Sequence, residues 1–322
     1  MSVGLDLGTT EFRSIRDSGG DLVARRCRAY YLVVKDTPGH RRLLEHTQAQ
    51  YGTCGDDLLV FGDDALECAA MLDVPAVPLL RDGRIPSADP VARQILALMV
   101  EAVLPTAQPG DSVCCLALPG GYGLDGDTQS LDVRFLQQLV SLRGYKPQLI
   151  SSGLAMVLAE LSSASFSGFG ISLGMTNCEI GLVHCGRELA RCTIPSPFGE
   201  LANGGAGELK SGLTMTTVDT TQPGWERNCL RMLTSIFSEA REALIAEGSI
   251  RLMPQPTGIA CSGWIASTEG FTDLFQTAWS QAGWPLKTSP VRIPRNPRFA
   301  VAYGALIKAI LDGRPVPERY VA

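Results

Sequence analysis

Two stretches far apart in this chain share one plan, Val3-Gly-Leu-Asp-Leu-Gly-Thr-Thr10 and Gly170-Ile-Ser-Leu-Gly-Met-Thr-Asn-Cys-Glu-Ile-Gly-Leu-Val183. Each is an apolar strand, a turn of glycine and hydroxyl residues, and a return strand. Glycine at the tightest point and threonine beside it let backbone N–H groups and hydroxyls converge on an anion such as a nucleotide phosphate. Asp6, at the end of the first strand, is placed to hold a hydrated metal. Each motif singly is also the sequence of a hairpin tip that binds nothing. The repetition is what constrains the fold, because it makes the chain internally duplicated.

Composition narrows the function classes. A chain of 322 residues is long enough for about two domains, and 45% hydrophobic with 19% charged residues is the composition of a globular protein. A net charge of −5 with no basic stripe argues against nucleic acid as a partner. No apolar run reaches the length of a membrane span, and a strand opening at Ser2 leaves no room for a signal peptide, so the expected location is the cytoplasm. The ten cysteines are scattered through apolar stretches such as Val113-Cys-Cys-Leu116, with no CxxC pair, which reads as buried reduced thiols. The three histidines, at 40, 46 and 184, have no spacing that suits a metal site.

Along the chain, the pattern predicts strands over Val3–Leu7, Glu11–Arg16 and Asp21–Val34, an irregular insertion from Lys35 to about Leu80 with a strand near Leu58–Phe61, and a helix opening at Gly62-Asp-Asp64. A helix over Asp89–Val103, a strand over Asp111–Leu118, a helix over Thr128–Arg143, a strand over Gln148–Ser151 and a helix over Leu154–Leu161 follow. A second meander over Ile171–Leu173, Cys178–His184 and Glu188–Ile194 repeats the order at the amino terminus. Helices over Trp225–Glu247, Glu269–Ala282 and Pro297–Leu311, with a strand over Gly258–Cys261, complete the second half.

Taken together, these motifs resemble the actin, MreB and sugar-kinase superfamily, which shares its fold with the ATPase domain of the heat-shock chaperones, and within it the chain looks like MreB. The first phosphate loop is similar to Asp6-Leu-Gly-Thr-Thr10 and the second to Ser172-Leu-Gly-Met-Thr-Asn-Cys-Glu179. The two connections between lobes look like Leu118-Pro-Gly-Gly121 through Ser151-Ser-Gly-Leu-Ala155, and Ala300-Val-Ala-Tyr-Gly304. The adenosine loop looks like Gly258-Ile-Ala-Cys-Ser-Gly-Trp264. Phe61-Gly-Asp-Asp-Ala65 through Pro78–Ile85 echoes the MreB stretch leading from subdomain IB back into IA. The implied fold is α/β, a duplicated actin-like (ribonuclease H-like) two-lobe ATPase. Lobe I would be residues 1–150 with the IB insertion at about 35–80, lobe II residues 151–297, and 298–322 a C-terminal helix packing back on lobe I.

The resemblance implies ATP and magnesium as cofactors. Gly8, Thr9, Thr10, Gly174, Thr176, Asn177 and Gly263 would line the nucleotide, with Asp6 and Glu179 on the metal. It also exposes four departures. Ser172 stands where the family has a metal-holding Asp, and Ser152 where it has a Glu or Gln that orients the attacking water; losing such a group costs about 10²–10⁴ in rate. The adenosine loop carries Ser262 and Trp264 in place of paired glycine and its successor. The Gly-rich stretch 198–224 replaces the helical subdomain IIB, which reads as reduced or absent. The residues also admit plainer readings, Asp6 as an acid satisfied by turn amides, Glu179 as a solvated strand residue and Trp264 as a core residue, although the complete loop around Asp6 favours a functional role there.

The resemblance therefore implies an MreB-like actin homologue of the bacterial kind, a nucleotide-binding cytoskeletal protein whose partner is itself in a head-to-tail filament, with slow or absent ATP hydrolysis. Peripheral contact with a membrane stays open. A degenerate actin-fold scaffold and a chaperone-like nucleotide switch are the alternatives. A sugar kinase ranks last, because it needs a carboxylate base and none is found near Ser151–Ala155 in the sequence.

Overall fold

The computed structural model describes residues 2–81, 83–85, 89–108, 112–120, 122, 130–196, 198 and 224–313. The expected reduction of subdomain IIB falls almost wholly on residues 199–223, outside the described residues, as do 314–322 and Gly121.

Strands β1 (Ser2–Leu7), β2 (Glu11–Ser18) and β3 (Asp21–Arg28) form the first antiparallel meander. The long strand expected over Asp21–Val34 is in fact two. Ala29, fully buried, donates its N–H to Thr10 O and accepts from the Leu79 N–H, and beyond it β4 (Tyr30–Lys35) enters a separate small sheet. No glycine or proline marks that break, which is why the sequence hides it. The small sheet, ordered β5-β6-β4-β7, also contains β5 (Tyr51–Cys54), β6 (Asp57–Phe61) and β7 (Val77–Pro78). It is flanked by α1 (Pro38–His46) and α2 (Asp63–Leu72). The sequence reading left α1 irregular, although its signal is present: Thr37 caps it by accepting the His40 N–H at 3.2 Å, and Pro38 occupies the first turn.

From there α3 (Pro90–Val103), β8 (Val113–Ala117), α4 (Leu131–Leu142) and β9 (Lys146–Ile150) finish the first lobe. Its main sheet has the order β3-β2-β1-β8-β9, with β8 parallel to β1 and β9 parallel to β8. After α5 (Ser152–Glu160), the chain repeats the plan. A second meander of β10 (Gly168–Leu173), β11 (Asn177–His184) and β12 (Arg187–Pro195) is followed by α6 (Trp225–Ala246), β13 (Thr257–Gly263), α7 (Phe271–Ala282) and β14 (Thr288–Arg292). The second sheet has the order β12-β11-β10-β13-β14, strand for strand the counterpart of the first. The unexpected β14 contains Pro290, which an edge strand tolerates because one side of it makes no ladder. The last helix is α8 (Ala300–Asp312).

The two lobes have separate apolar cores, one around Leu5, Phe12 and Leu116, the other around Phe169, Phe237 and Trp279. A third cluster joins them, built from α5, α8 and the facing strands, with Ala155, Met156, Ala260 and Ala305 buried in it. Glycines make this junction thin enough. A Cβ on Gly4 of β1 would lie 1.9 Å from Ala302 O of α8, and one on Gly170 of β10 would lie 1.8 Å from Gly153 O of α5. Each of these glycines sits two residues before the last polar position of its strand, Asp6 or Ser172, so each lobe presses one helix against the same point of its sheet. The helices touch each other at Gly304, where a Cβ would come within 1.8 Å of Ala155 O. Among the described residues no helix is long and apolar enough to cross a membrane, and all ten cysteines are free.

These contacts are between backbones, which cannot rotate aside. Gly304→Val is therefore expected to lower the unfolding free energy by about 3 kcal/mol or more. Gly39→Ala, on α1 where a Cβ meets only Thr37 Oγ1 at 3.8 Å, should be neutral or stabilise by up to ~1 kcal/mol. Paired urea unfolding curves check both.

Candidate functional site

The ends of β1 and β10 point toward each other across the gap between the lobes, and their turns line one cavity of about 190 Å³. From lobe I, Asp6, Gly8, Thr9 and Thr10 reach it. Lobe II contributes Ser172, Gly174, Thr176, Asn177 and Glu179, with Ser152 at the start of α5 and Gly263 at the end of β13. Every residue singled out from the sequence thus lines the same cavity. The turns are tight where the glycines fall. A Cβ on Gly174 would lie 2.5 Å from Asn177 O, and Gly263 (φ +140°) lies so close to β10 that a Cβ would meet Leu173 O at 2.2 Å. Gly83 packs beside both turns, near Thr9 of one and Asn177 of the other.

Lobe I supplies the cations, which the sequence reading missed. Antiparallel register sets Arg13 on β2 directly opposite Asp6 on β1, and its Nη1 donates to Asp6 Oδ2 at 3.2 Å. The Arg13 Nε donates to Glu11 Oε2 at 2.7 Å, and Arg26 Nη1 donates to the other Glu11 oxygen at 2.8 Å. Arg28 also lines the cavity, held from behind by Asp63 at 2.9 Å, and exposed Arg298 lines it just before α8. The signal for Arg13 was available: a hairpin closing on Gly8-Thr-Thr10 puts residues 6 and 13 side by side on one face. Burial pushes the Asp6 carboxyl above its ordinary range, against the pull of Arg13. Burial also works to raise Glu11, but Arg13 and Arg26 outweigh it and hold that carboxyl below its usual value.

Lobe II supplies a different arrangement at the corresponding place. Ser172 pairs in register with Glu179, as Asp6 pairs with Arg13. Glu179 is not a solvated strand residue. It is 5% exposed, and its Oε1 accepts the Gly153 N–H at 2.9 Å in the first turn of α5. Burial pushes its carboxyl up to about 7, moderated by the Gly153 and Ser152 amides and by Arg191. Nearby, the Ser151 hydroxyl caps α5 by accepting the Leu154 N–H at 3.0 Å and donates to Glu188 Oε1. The absence of a carboxylate near Ser151–Ala155 thus holds along the sequence but not in space, where Glu179 and Glu188 both face that turn.

Trp264 lines the cavity at the adenosine-loop position, packed edge-on to Phe198 with ring centroids 6.5 Å apart. Its indole Nε1 is buried with no hydrogen-bond partner among the described residues. An unpaired buried donor beside a cleft of amides and hydroxyls suits a polar ligand. The donor set suits a magnesium ion poorly. One oxygen of Asp6 is bonded to Arg13, both Glu11 oxygens to arginines, and one oxygen of Glu179 to α5; no group of three or more His, Cys, Asp or Glu residues among the described residues is placed to hold a metal.

Two matched sheets hinged by two crossing helices around a cleft define an actin-like two-lobe protein, and the comparisons with known structures agree. The chain is similar to MamK in a double helical filament (13% identity, TM-score 0.63, covering 98% of this chain and 99% of that one). It is likewise similar to MreB5 of Spiroplasma citri bound to AMPPNP (16% identity, TM-score 0.61, covering 97% and 98%). A third similar structure is the ethanolamine utilization protein EutJ from Carboxydothermus hydrogenoformans (15% identity, TM-score 0.50, covering 95% and 88%). The sequence profile of the Volactin family matches residues 1–208, and the chain belongs to that family. No curated protein matches it in sequence.

Glu179 gives the site a pH signature. With its carboxyl raised from 4.5 to about 7, the native protein holds a proton that the unfolded chain releases, so this residue lowers stability progressively between about pH 4.5 and 7 and by a constant amount above. Glu179→Gln keeps the oxygen that accepts the Gly153 N–H and removes the titration. The variant should match wild type near pH 4.5 and be the more stable by roughly 2–3 kcal/mol at pH 8, read from denaturation midpoints across that range.

Proposed function

We propose that the protein is a nucleotide-binding cytoskeletal protein of the cytoplasm that assembles head to tail into filaments and hydrolyses ATP slowly. One observation carries the reading: both lobes turn a glycine-hydroxyl hairpin toward a single cavity, so Gly8, Thr9, Thr10, Gly174, Thr176 and Asn177 converge on one place where phosphates can sit. That cavity is smaller than the roughly 300–1,000 Å³ of sites that enclose a whole small molecule. It accommodates a polyphosphate chain, with the base at the rim beside Trp264, and discrimination among bases should be weak.

Slow hydrolysis follows from side-chain reach. Ser152, at the position expected to orient the attacking water, is too short to act across the cleft, and Ser172 brings no charge to the reacting phosphate. Glu179, with a carboxyl near neutrality, is the group suited to accept a proton from water, so the turnover that occurs should run through it. Its Gln variant should release no phosphate above background while still binding nucleotide.

Assembly is supported by the fold's likeness to a protein solved as a filament, since a heterologous contact between unlike ends repeats into an open filament when its rotation does not close a ring. Pelleting and negative-stain microscopy over a protein concentration series, with and without ATP, test the reading. A critical concentration and filaments are expected. A monomeric mass at every concentration would instead favour the scaffold or nucleotide-switch alternatives.

A further inference from the structure

We propose that the cleft neutralises the phosphates of its nucleotide with arginine side chains, chiefly Arg13, Arg28 and Arg298, and does so without a divalent cation. The inference rests on the nucleotide reading above and concerns how that ligand is held.

Magnesium in a phosphate site needs one or two carboxylates free to face the metal or its water shell, in near-octahedral geometry. Here each acid lining the cleft already bonds a protein donor, Glu11 through both oxygens and Asp6 and Glu179 through one. Asp6 Oδ2 lies 3.2 Å from Arg13 Nη1, the two oxygens of Glu11 are bonded at 2.7 and 2.8 Å to Arg13 and Arg26, and Glu179 Oε1 accepts a helix amide. A dication placed against Asp6 would sit next to the Arg13 guanidinium and be repelled by it. On the opposite wall, the position corresponding to Asp6 is Ser172, which carries no charge.

What the cleft has instead is guanidinium. Arg13 spends one N–H of its Nε and one of its Nη1 on carboxylates, which leaves three of its five donors for a ligand. Its side chain is 19% exposed, so it is already largely removed from water, held in place by Asp6 and Glu11. Arg28, which also lines the cleft, is fixed in the same way by Asp63, which its Nε meets at 2.9 Å. Arg298, on the far rim, has no carboxylate partner among the described residues and is exposed. A planar fork matched to two phosphate oxygens, and always charged, does the electrostatic work for which related folds would use a metal. Asp6 then serves to orient Arg13.

The test is equilibrium titration of the full chain with ATP, once in excess magnesium and once in EDTA. Dissociation constants within about three-fold of each other are expected. Arg298→Ala, a surface change that should leave the melting temperature unaltered, should weaken binding by about ten-fold or more in both buffers, as should Arg13→Lys, which keeps the charge and loses the fork. Binding that falls more than ten-fold on chelation, or an Arg298→Ala protein that binds as wild type does, overturns the inference and leaves the nucleotide reading intact. No binding in either buffer overturns both.

Discussion

The close approach of backbone to backbone at four glycines is the constraint on which the architecture depends. Gly4 and Gly170 let a helix lie directly on the central strand of each lobe, Gly153 brings α5 down onto β10 and β11, and Gly304 lets the two helices meet. Any side chain at these points would push helix from sheet by more than the packing of a protein interior can absorb. The spacing between lobes, and hence the distance between the two phosphate-loop candidates, is set there. The cleft is a by-product of helices that pack without side chains between them.

That packing also explains the burial of Glu179. Because α5 is drawn down onto β10 and β11, its first turn lies over the β11 carboxylate, which trades water for the Gly153 amide. A carboxylate in the first turn of a helix gains from the partial positive charge of the free amides, yet here the loss of solvent is larger and the net effect is a raised proton affinity. Asp6 follows the same logic on the other side. A cross-strand arginine supplies the countercharge, and burial still wins by direction.

Much of the fold was legible in the sequence. The duplicated meander, the helices over Asp89–Val103 and Trp225–Glu247, and the glycines of both hairpin turns were all set by local patterns of apolar period and turn chemistry. The failures are instructive because they are not local. Nothing in Arg28-Ala-Tyr30 shows that the chain changes sheets, since Ala29 stops its strand by bonding to Thr10 and Leu79. The site residues were legible as a set of small and polar side chains at strand ends. Their partners were not: Arg13, Arg28, Glu188 and Arg298 are ordinary charged residues in the sequence, and only the folded chain brings the three arginines to the cleft and Glu188 to Ser151.

The equivalence of the two lobes makes their difference at one pair of positions consequential. In lobe I the strand-end pair is Asp6 and Arg13; in lobe II it is Ser172 and Glu179. A duplicated frame has thus been given different electrical character at its two strand ends, an ion pair in lobe I and a hydroxyl beside a buried carboxyl in lobe II. A ligand whose charge is concentrated at one end meets a different partner at each of these strand ends, so a duplicated frame has become a polar slot.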